Sequence, residues 1–159
     1  MNTNIDQDEK GANVKFPPPL VFIGAILLGY AMDYVFPVKI GDTIVIMIAG
    51  LMMVLIALIV IVLAILTFRR ANTSVEPWRP TSAIITDGVF GISRNPIYLA
   101  FCWATIGIGL ILNSWWVVLG FIPAAALITA FVIAREEAYL EDKFAEEYRR
   151  YQSRVRRWL

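Results

Sequence analysis

The segment Thr43–Phe68, TIVIMIAGLMMVLIALIVIVLAILTF, has no charged residue and consists almost entirely of apolar side chains. At a rise of 1.5 Å per residue, a helix of this length exceeds the hydrocarbon thickness of a bilayer, which is roughly 30 Å. Arg69 and Arg70 follow at once, and arginines at the end of an apolar run mark the cytoplasmic boundary of a membrane helix. The segment therefore predicts a transmembrane helix.

Apolar stretches on both sides of this segment predict further membrane helices. Residues 95–134 carry no charge, and a single helix over them would extend roughly 60 Å, twice the thickness of the bilayer core. This run must fold back, and Asn113 and Ser114 provide the polar break for the turn. The predicted spans are Pro17–Phe36, Thr43–Phe68, Pro96–Leu112 and Trp115–Ala134. We expect an all-α, polytopic membrane protein with about four transmembrane helices.

The chain becomes charged after Ala134 but keeps a helical pattern of apolar residues. Acidic residues fill the first half of this region and arginines the second half, an order that complements the dipole of a helix. The apolar residues recur every three or four positions, which predicts one face of a single helix that continues from the last span. They are Leu140, Phe144, Tyr148, Tyr151 and Val155. We expect this C-terminal helix to lie in the cytosol.

The composition fits a bilayer environment and argues against several kinds of site. The chain has 159 residues, of which 58% are hydrophobic and 17% charged, whereas soluble domains have about 45–50% and 25%. It has no histidine, so we expect no metal site and no Ser-His-Asp triad. Cys102 is the single cysteine, which excludes an intrachain disulfide. The net charge of +1 gives no support for nucleic-acid binding.

The arginines predict the orientation of the chain in the membrane. Arg69, Arg70, Arg79 and Arg94 mark a cytoplasmic loop, because positive residues concentrate on that side. With four spans, both termini then lie in the cytoplasm. We divide the chain into a flexible cytosolic N-terminus (1–16), two N-terminal transmembrane helices (17–68) and a core (69–159) that holds the loop, the membrane hairpin and the C-terminal helix.

The polar loop ends in a stretch that reads Gly88-Val-Phe-Gly-Ile-Ser-Arg94-Asn95-Pro96-Ile97-Tyr98. Proline suits the first position of a helix, and the free amides of a helix start can receive a carboxylate or a phosphate. Glycines let the backbone approach a ligand closely. On these grounds alone, an ordinary cytoplasmic connector is an equally good interpretation.

The order of motifs separates these interpretations. Gly-x-Phe-x-x-x-Arg-x-Pro-x-Tyr at 88–98 is followed by an apolar hairpin, by Glu136-Glu137 and by Phe144-x-x-x-Tyr148-x-x-Tyr151-x-x-x-Val155. This order resembles the isoprenylcysteine carboxyl methyltransferase family and the related phospholipid N-methyltransferases. The resemblance covers roughly residues 68–159, so the core is expected to be a methyltransferase core.

The resemblance implies S-adenosylmethionine as the cofactor, bound on the cytosolic side without a soluble-type glycine-rich fold. Glu136 would bind its amino-acid end, and Phe90 stands where the family usually has Tyr. Asn95 replaces the usual His, so this position can donate hydrogen bonds but cannot carry a charge. The residues implied in cofactor binding are Ala83, Ile84, Ile85, Phe90, Arg94, Asn95, Pro96, Ile97, Tyr98 and Glu136.

The membrane location implies a lipidic or lipid-anchored methyl acceptor that enters from the bilayer. A carboxylate acceptor needs a cation such as Arg135, whereas an ammonium-bearing lipid needs a proton acceptor, for which Glu137 is the nearest candidate. The motif order favours the carboxyl-methylating branch. Two further interpretations stay open: a non-enzymatic membrane protein whose arginine-rich tail binds anionic lipid or a partner, and a membrane reductase that uses NADPH.

Overall fold

Helices account for the regular structure in the part of the chain that the computed structural model describes, which is residues 11–12, 14, 16–41, 43–73 and 78–159. Within these ranges there is no strand, so the predicted all-α class is confirmed there. The elements are α1 (Pro19–Val35), α2 (Ile44–Arg70), a 3-10 turn (Gly88–Gly91), α3 (Pro96–Ile111), α4 (Trp115–Leu119), α5 (Phe121–Ile128), a π-helical turn (Thr129–Ile133) and α6 (Ala134–Arg154).

Among the described residues, two helical runs are long and apolar enough to cross a membrane. One is α2, with 27 residues, and the other is the 40-residue run Trp115–Arg154, in which α4, α5, the π-helical turn and α6 follow one another. Of the most apolar 18-residue stretch of α2, only 11% is buried inside the protein. A helix that is apolar on all sides and exposed over most of its length is typical of a membrane helix, unlike the buried core helix of a soluble protein.

The two shorter apolar helices leave the number of spans open. α1 has 17 residues and α3 has 16, so each extends about 25 Å, somewhat less than the roughly 30 Å of the hydrocarbon core. Both helices begin and end within the spans predicted from sequence. The helical runs α2 and Trp115–Arg154 meet the length requirement by themselves, whereas four spans with cytoplasmic termini stay a prediction.

The described residues form two units, which differ in composition. The first, which we call the apolar unit, consists of Pro17–Ile61 and Ile97–Ile128. The second, the polar unit, consists of Val62–Pro96 and Thr129–Leu159 together with the described residues of the N-terminal segment.

Close approach of helix backbones holds the apolar unit together. α1 packs against α4 and α5. A Cβ atom built on Gly29 would lie 2.8 Å from the Cα atom of Val117, and one built on Gly50 would lie 2.6 Å from the carbonyl oxygen of Gly107. Real Cβ atoms essentially never come closer than 3.0 Å to such atoms, so these helices touch at a spacing that only glycine permits.

The turn predicted at Asn113 and Ser114 is confirmed, because α3 ends at Ile111 and α4 begins at Trp115. Asn113 has a φ of 54°, in the left-handed region that asparagine tolerates. Its side-chain oxygen accepts hydrogen bonds from the backbone N–H groups of Ile40 at 2.9 Å and Gly41 at 3.0 Å. The turn thereby fixes the loop between α1 and α2, which lies in the same unit.

A cluster of aromatic and aliphatic side chains forms the core of the polar unit. Tyr148, Tyr151 and Val155 are buried, and Ile84, Leu140 and Phe144 pack against them while partly buried. The apolar pattern predicted for the C-terminal region therefore does form a core.

The predicted flexible N-terminus lies mostly outside the described residues and stays a prediction there. Of its described residues, Ala12 and Val14 are buried, at 8% and 5% exposure. These two apolar side chains of the segment therefore pack inside the protein, which suits their character.

Candidate functional site

The 3-10 turn Gly88–Gly91 holds Phe90 inside the polar unit. Gly88 has a φ of 60°, which favours glycine and lets the chain turn sharply here. The Phe90 ring lies edge-on to the Phe68 ring, with their centroids 5.3 Å apart. The hydroxyl of Tyr151 donates a 2.7 Å hydrogen bond to the Phe90 carbonyl oxygen. The turn is thus joined both to the end of α2 and to α6.

The three residues before α3 bond to the C-terminal tail. Ser93 and Asn95 are buried, and the Asn95 backbone N–H donates to the Ser93 Oγ atom at 3.1 Å. The backbone N–H of Arg94 donates to the carbonyl oxygen of Arg156 at 3.0 Å. The Asn95 Nδ2 atom donates to the carbonyl oxygen of Arg157 at 2.9 Å. The expected cofactor residue Asn95 therefore uses a side-chain donor to hold the tail.

Glu137 lies between two arginines. The Arg94 Nη1 atom is 3.2 Å from its Oε1 atom, and both side chains are almost buried, at 12% and 13% exposure. Arg157 donates from Nε to Oε1 at 3.0 Å and from Nη2 to Oε2 at 2.6 Å. Such a two-point pair fixes both the position and the plane of a carboxylate. We call these three residues the ion cluster.

A break inside α6 makes the ion cluster possible. Ala145 has a φ of 41° and a ψ of −112°, which is not helical. On a straight helix, the 20 residues between Glu137 and Arg157 would separate them by roughly 30 Å, too far for any side-chain contact. The chain therefore reverses near Ala145, and the prediction of one uninterrupted C-terminal helix was wrong. Alanine is the best helix former, so its identity gave no signal of the break.

The ion cluster has a surplus of one positive charge, since two guanidinium groups face one carboxylate. Hydrogen bonding to Glu137 raises the pKa of Arg157. Burial raises the pKa of Tyr148, and the nearby Glu137 carboxylate raises it further. The Arg94 Nε and Nη1 atoms are buried and have no hydrogen-bond partner within the described residues. The cluster is therefore electrostatically suited to an anionic group.

The loop residues of the expected cofactor site contact α6, the helix that also carries Glu137 of the ion cluster. Ile84 packs against the core of Tyr148, Tyr151 and Val155. The backbone N–H of Thr81 donates to the Tyr139 hydroxyl at 3.3 Å, which ties the loop to the first half of α6. The segment that was expected to line the pocket, residues 83–85, is half-buried and apolar, and it consists of Ala83, Ile84 and Ile85.

The remaining expected residues lie at two helix starts. In the first turn of α6, Glu136 is half-buried and Arg135 is exposed. Pro96 opens α3, as predicted, and is buried. Ile97 is half-buried and Tyr98 buried, and both belong to the apolar unit, so their roles stay predictions. Within the described ranges, no group of three His, Cys, Asp or Glu residues could hold a metal ion.

Comparison with known proteins places these elements in a family. A model of the phospholipid methyltransferase family matches residues 45–147, which is more than half of the 159 residues. The chain belongs to the phospholipid methyltransferase family. The match includes Arg94, Glu136 and Glu137, and it ends before Arg157. The superfamily inferred from the motif order is thereby confirmed.

A curated relative matches part of the chain. No solved structure matches the chain. The relative is an uncharacterized protein of Haemophilus influenzae, 61% identical over 41 residues. These residues are 26% of this chain, and the chain spans 65% of the length of the relative. Membership of the phospholipid methyltransferase family and the exposed apolar helices both fit a membrane location.

Sequence reasoning missed three residues that contribute to this site. Ser93 was passed over as a loop residue, Tyr151 was assigned only to an apolar helix face, and Arg157 was assigned only to the basic end of a helix. The hydrogen bonds of these side chains join residues that are far apart in the sequence, and sequence periodicity gives no information about such contacts. For Tyr151 the sequence did contain a signal. A tyrosine on a buried helix face usually has a hydrogen-bond partner for its hydroxyl.

Proposed function

We propose that the protein transfers a methyl group from S-adenosylmethionine to a phospholipid amine at the cytosolic face of the membrane. The observation that carries this proposal is the ion cluster, in which Arg94 of the family motif meets Glu137 of α6 in nearly buried surroundings. Both residues lie inside the range matched by the phospholipid methyltransferase family. Buried charges kept together within a family match are typical of a functional site.

The chemistry of the polar unit fits the cofactor. When bound, S-adenosylmethionine supplies an electrophilic methyl group on a sulfonium centre. The half-buried Glu136 carboxylate suits the ammonium group of its amino-acid end. The apolar segment 83–85 suits the neutral parts of the nucleoside and excludes water from the sulfonium. Phe90 supports the loop from inside, because its ring packs against Phe68.

The residues of the ion cluster suit the acceptor. A phospholipid amine carries both an ammonium group and a phosphodiester, so it needs a carboxylate and a surplus positive charge close together. Glu137 would hold the ammonium group and receive its proton, and Arg94 would attract the phosphate oxygens. Methyl transfer is an in-line displacement, so alignment of the acceptor and exclusion of water supply most of what the protein must provide.

A carboxylate acceptor, such as a prenylated cysteine, is the second candidate. The motif order at 88–98 and 136–155 favours it, and so does the exposed Arg135, which could bind a carboxylate at the bilayer side of α6. Its chemistry needs a cation and no proton acceptor. The two candidates therefore assign the essential role to different residues, Glu137 for the amine and Arg135 for the carboxylate.

The proposed arrangement has four spans with both termini and the arginine loop in the cytoplasm. The arginines that end α2, Arg69 and Arg70, support this orientation. The cofactor is made in the cytosol, so the polar unit must face that side. Reporter fusions at each end test the orientation, and a C-terminus outside the cytoplasm would contradict the proposed site.

Methyl transfer with labelled S-adenosylmethionine tests the acceptor. The purified protein is offered phosphatidylethanolamine and a prenylated cysteine analogue in separate assays. For the amine acceptor, Glu137→Gln should depress turnover, most strongly at low pH where the amine is protonated, and Arg135→Ala should be neutral. Label only in the prenylated analogue, with Arg135→Ala raising its KM, would favour the second candidate.

A ligand-dependent shift in the unfolding midpoint separates a methyltransferase from a reductase and from a non-enzymatic membrane protein. In detergent, S-adenosylhomocysteine should stabilise the protein, since a ligand that binds only the folded state raises the midpoint. Stabilisation by NADPH instead would indicate a reductase. Stabilisation by neither ligand would favour a non-enzymatic membrane protein.

A further inference from the structure

We propose that Arg157 is a positioning residue, which holds the Glu137 carboxylate in the orientation that the methyl acceptor requires. The proposal rests on the proposed function, because it concerns the same site. It assigns a role to a residue beyond the matched range 45–147 and in the tail after α6.

The geometry of the ion cluster separates the contributions of the two arginines. Arg157 donates two hydrogen bonds, one to each oxygen of Glu137, at 3.0 and 2.6 Å. Arg94 approaches one oxygen at 3.2 Å, yet its Nη1 atom makes no hydrogen bond within the described part of the chain. Arg94 therefore forms an ion pair without a directional hydrogen bond. The two hydrogen bonds from Arg157 set the plane of the carboxylate.

The backbone of the tail fixes Arg157 itself. Its carbonyl oxygen accepts from Asn95 Nδ2 at 2.9 Å and from Ser93 Oγ at 3.4 Å, and the preceding carbonyl of Arg156 accepts from the Arg94 backbone N–H at 3.0 Å. Arg157 thus connects two expected parts of the site. Its backbone holds the segment before α3, and its side chain holds the first turn of α6.

Exposure indicates that the Arg157 side chain contributes more to orientation than to stability. Its side chain is 46% exposed, whereas that of Glu137 is 13% exposed. An ion pair with one partner in solvent adds little to stability. A misplaced reacting group, by contrast, costs rate steeply, because an error of about 1 Å can reduce it by roughly a hundredfold.

A double-mutant cycle tests this role with Arg157→Ala, Glu137→Gln and the double variant. For methyl transfer to phosphatidylethanolamine, kcat of Arg157→Ala should fall by roughly tenfold to a hundredfold. The double variant should be no slower than Glu137→Gln alone, because Arg157 acts through Glu137. Affinity for S-adenosylhomocysteine should stay within about twofold, since the backbone carbonyl that holds Asn95 is retained.

Two further variants distinguish positioning from charge and from folding. Arg157→Lys keeps the charge but cannot present a two-point fork, so it should recover only part of kcat. Arg154→Ala is the matched control, because Arg154 is an exposed arginine at the end of α6 with no ion pair in the described residues. It should behave as wild type. Equal losses for Arg154→Ala and Arg157→Ala, or additive losses in the cycle, would overturn the proposal.

The same proteins separate failure of this proposal from failure of the proposed function. If the wild-type protein transfers no methyl group to any lipid, the proposed function fails. The solvent exchange of the Arg157 Nε–H group, measured by NMR in the wild-type protein and in Glu137→Gln, then still reports the pairing of Arg157 with Glu137. Faster exchange in Glu137→Gln supports the pairing, and equal exchange in the two proteins overturns it.

Discussion

The apolar unit and the polar unit are stabilised by different interactions, although one chain passes through both. Helix backbones touch at glycines in the apolar unit, where a Cβ on Gly50 would meet the Gly107 carbonyl at 2.6 Å. The polar unit depends on directed bonds, such as those of Arg157 to Glu137 and of Tyr151 to Phe90. Every expected cofactor and acceptor residue except Ile97 and Tyr98 lies in the polar unit.

Because the two units are held together differently, stability and chemistry should respond to different substitutions. Small volume changes at a close helix contact force the helices apart, because packed interiors have no spare room. Exposed and half-exposed ion pairs contribute only about 0–1 kcal/mol to stability, so losing one leaves the fold intact. Substitutions in the apolar unit should therefore lower stability, and charge substitutions in the polar unit should lower binding or turnover.

The largest effect is expected for cofactor binding in the polar unit. Glu136→Gln removes a charged partner of the cofactor ammonium, worth about 1.5–3 kcal/mol, so the dissociation constant of S-adenosylhomocysteine should rise about tenfold or more. Calorimetry measures this constant, and the unfolding midpoint without ligand should not change. The control is Glu147→Gln, an exposed carboxylate on the same helix. An equal effect of both variants would mean that Glu136 is only a helix-start charge.

A somewhat smaller effect, on stability alone, is expected in the apolar unit. Gly50→Ala should lower the free energy of unfolding by about 1–3 kcal/mol, because the new methyl group overlaps the Gly107 backbone. Gly24→Ala is the matched control, since a Cβ atom built on Gly24 would have no atom within 4 Å. That change in a helix should be neutral or stabilise by about 0.5–1 kcal/mol. Equal unfolding midpoints in detergent would show that the helices do not touch there.

The smallest effect is expected for the hydrogen bond from Tyr151 to the Phe90 carbonyl oxygen, which contributes both to stability and to the position of the loop. Tyr151→Phe leaves the aromatic core intact but removes the hydrogen bond to the Phe90 carbonyl, which should cost about 0.5–1.5 kcal/mol. The unfolding midpoint should fall, and affinity for S-adenosylhomocysteine should weaken slightly because the loop loses an anchor. Tyr34→Phe should change neither, since Tyr34 is 89% exposed. A Tyr151→Phe midpoint equal to wild type would show that the loop does not depend on this bond.

Much of the apolar unit could be predicted from sequence, because its signals are local. The charge-free run at 43–68 predicts α2, and the polar pair Asn113-Ser114 predicts the turn between α3 and α4. The motif order also named Arg94 as an expected cofactor residue and Glu137 as an expected acceptor residue, and the structure brings their side chains to 3.2 Å from one another, whereas their roles stay predictions. These inferences need only hydrophobic length, turn chemistry and the order of a few residue types along the chain.

The Arg157 partner of Glu137 could not be predicted, because it depends on a reversal of the chain. Regular spacing from Leu140 to Val155 predicts a straight helix, on which Arg157 would lie far from Glu137. The break falls at Ala145, a residue with no preference for a turn, so tertiary bonds rather than local propensity must select it. The three bonds from residues 93–95 to the tail carbonyls are the contacts that could do so.

In the proposed function, the polar unit binds S-adenosylmethionine and directs its methyl group to a phospholipid amine. The most direct test incubates the purified protein with vesicles containing phosphatidylethanolamine and with S-adenosylmethionine that carries a deuterated methyl group. Mass spectrometry of the extracted lipids should find deuterated N-methylated phosphatidylethanolamine with the wild-type protein and much less with Glu136→Gln. Lipids without deuterium, from a folded wild-type protein, would show that the protein does not methylate phosphatidylethanolamine.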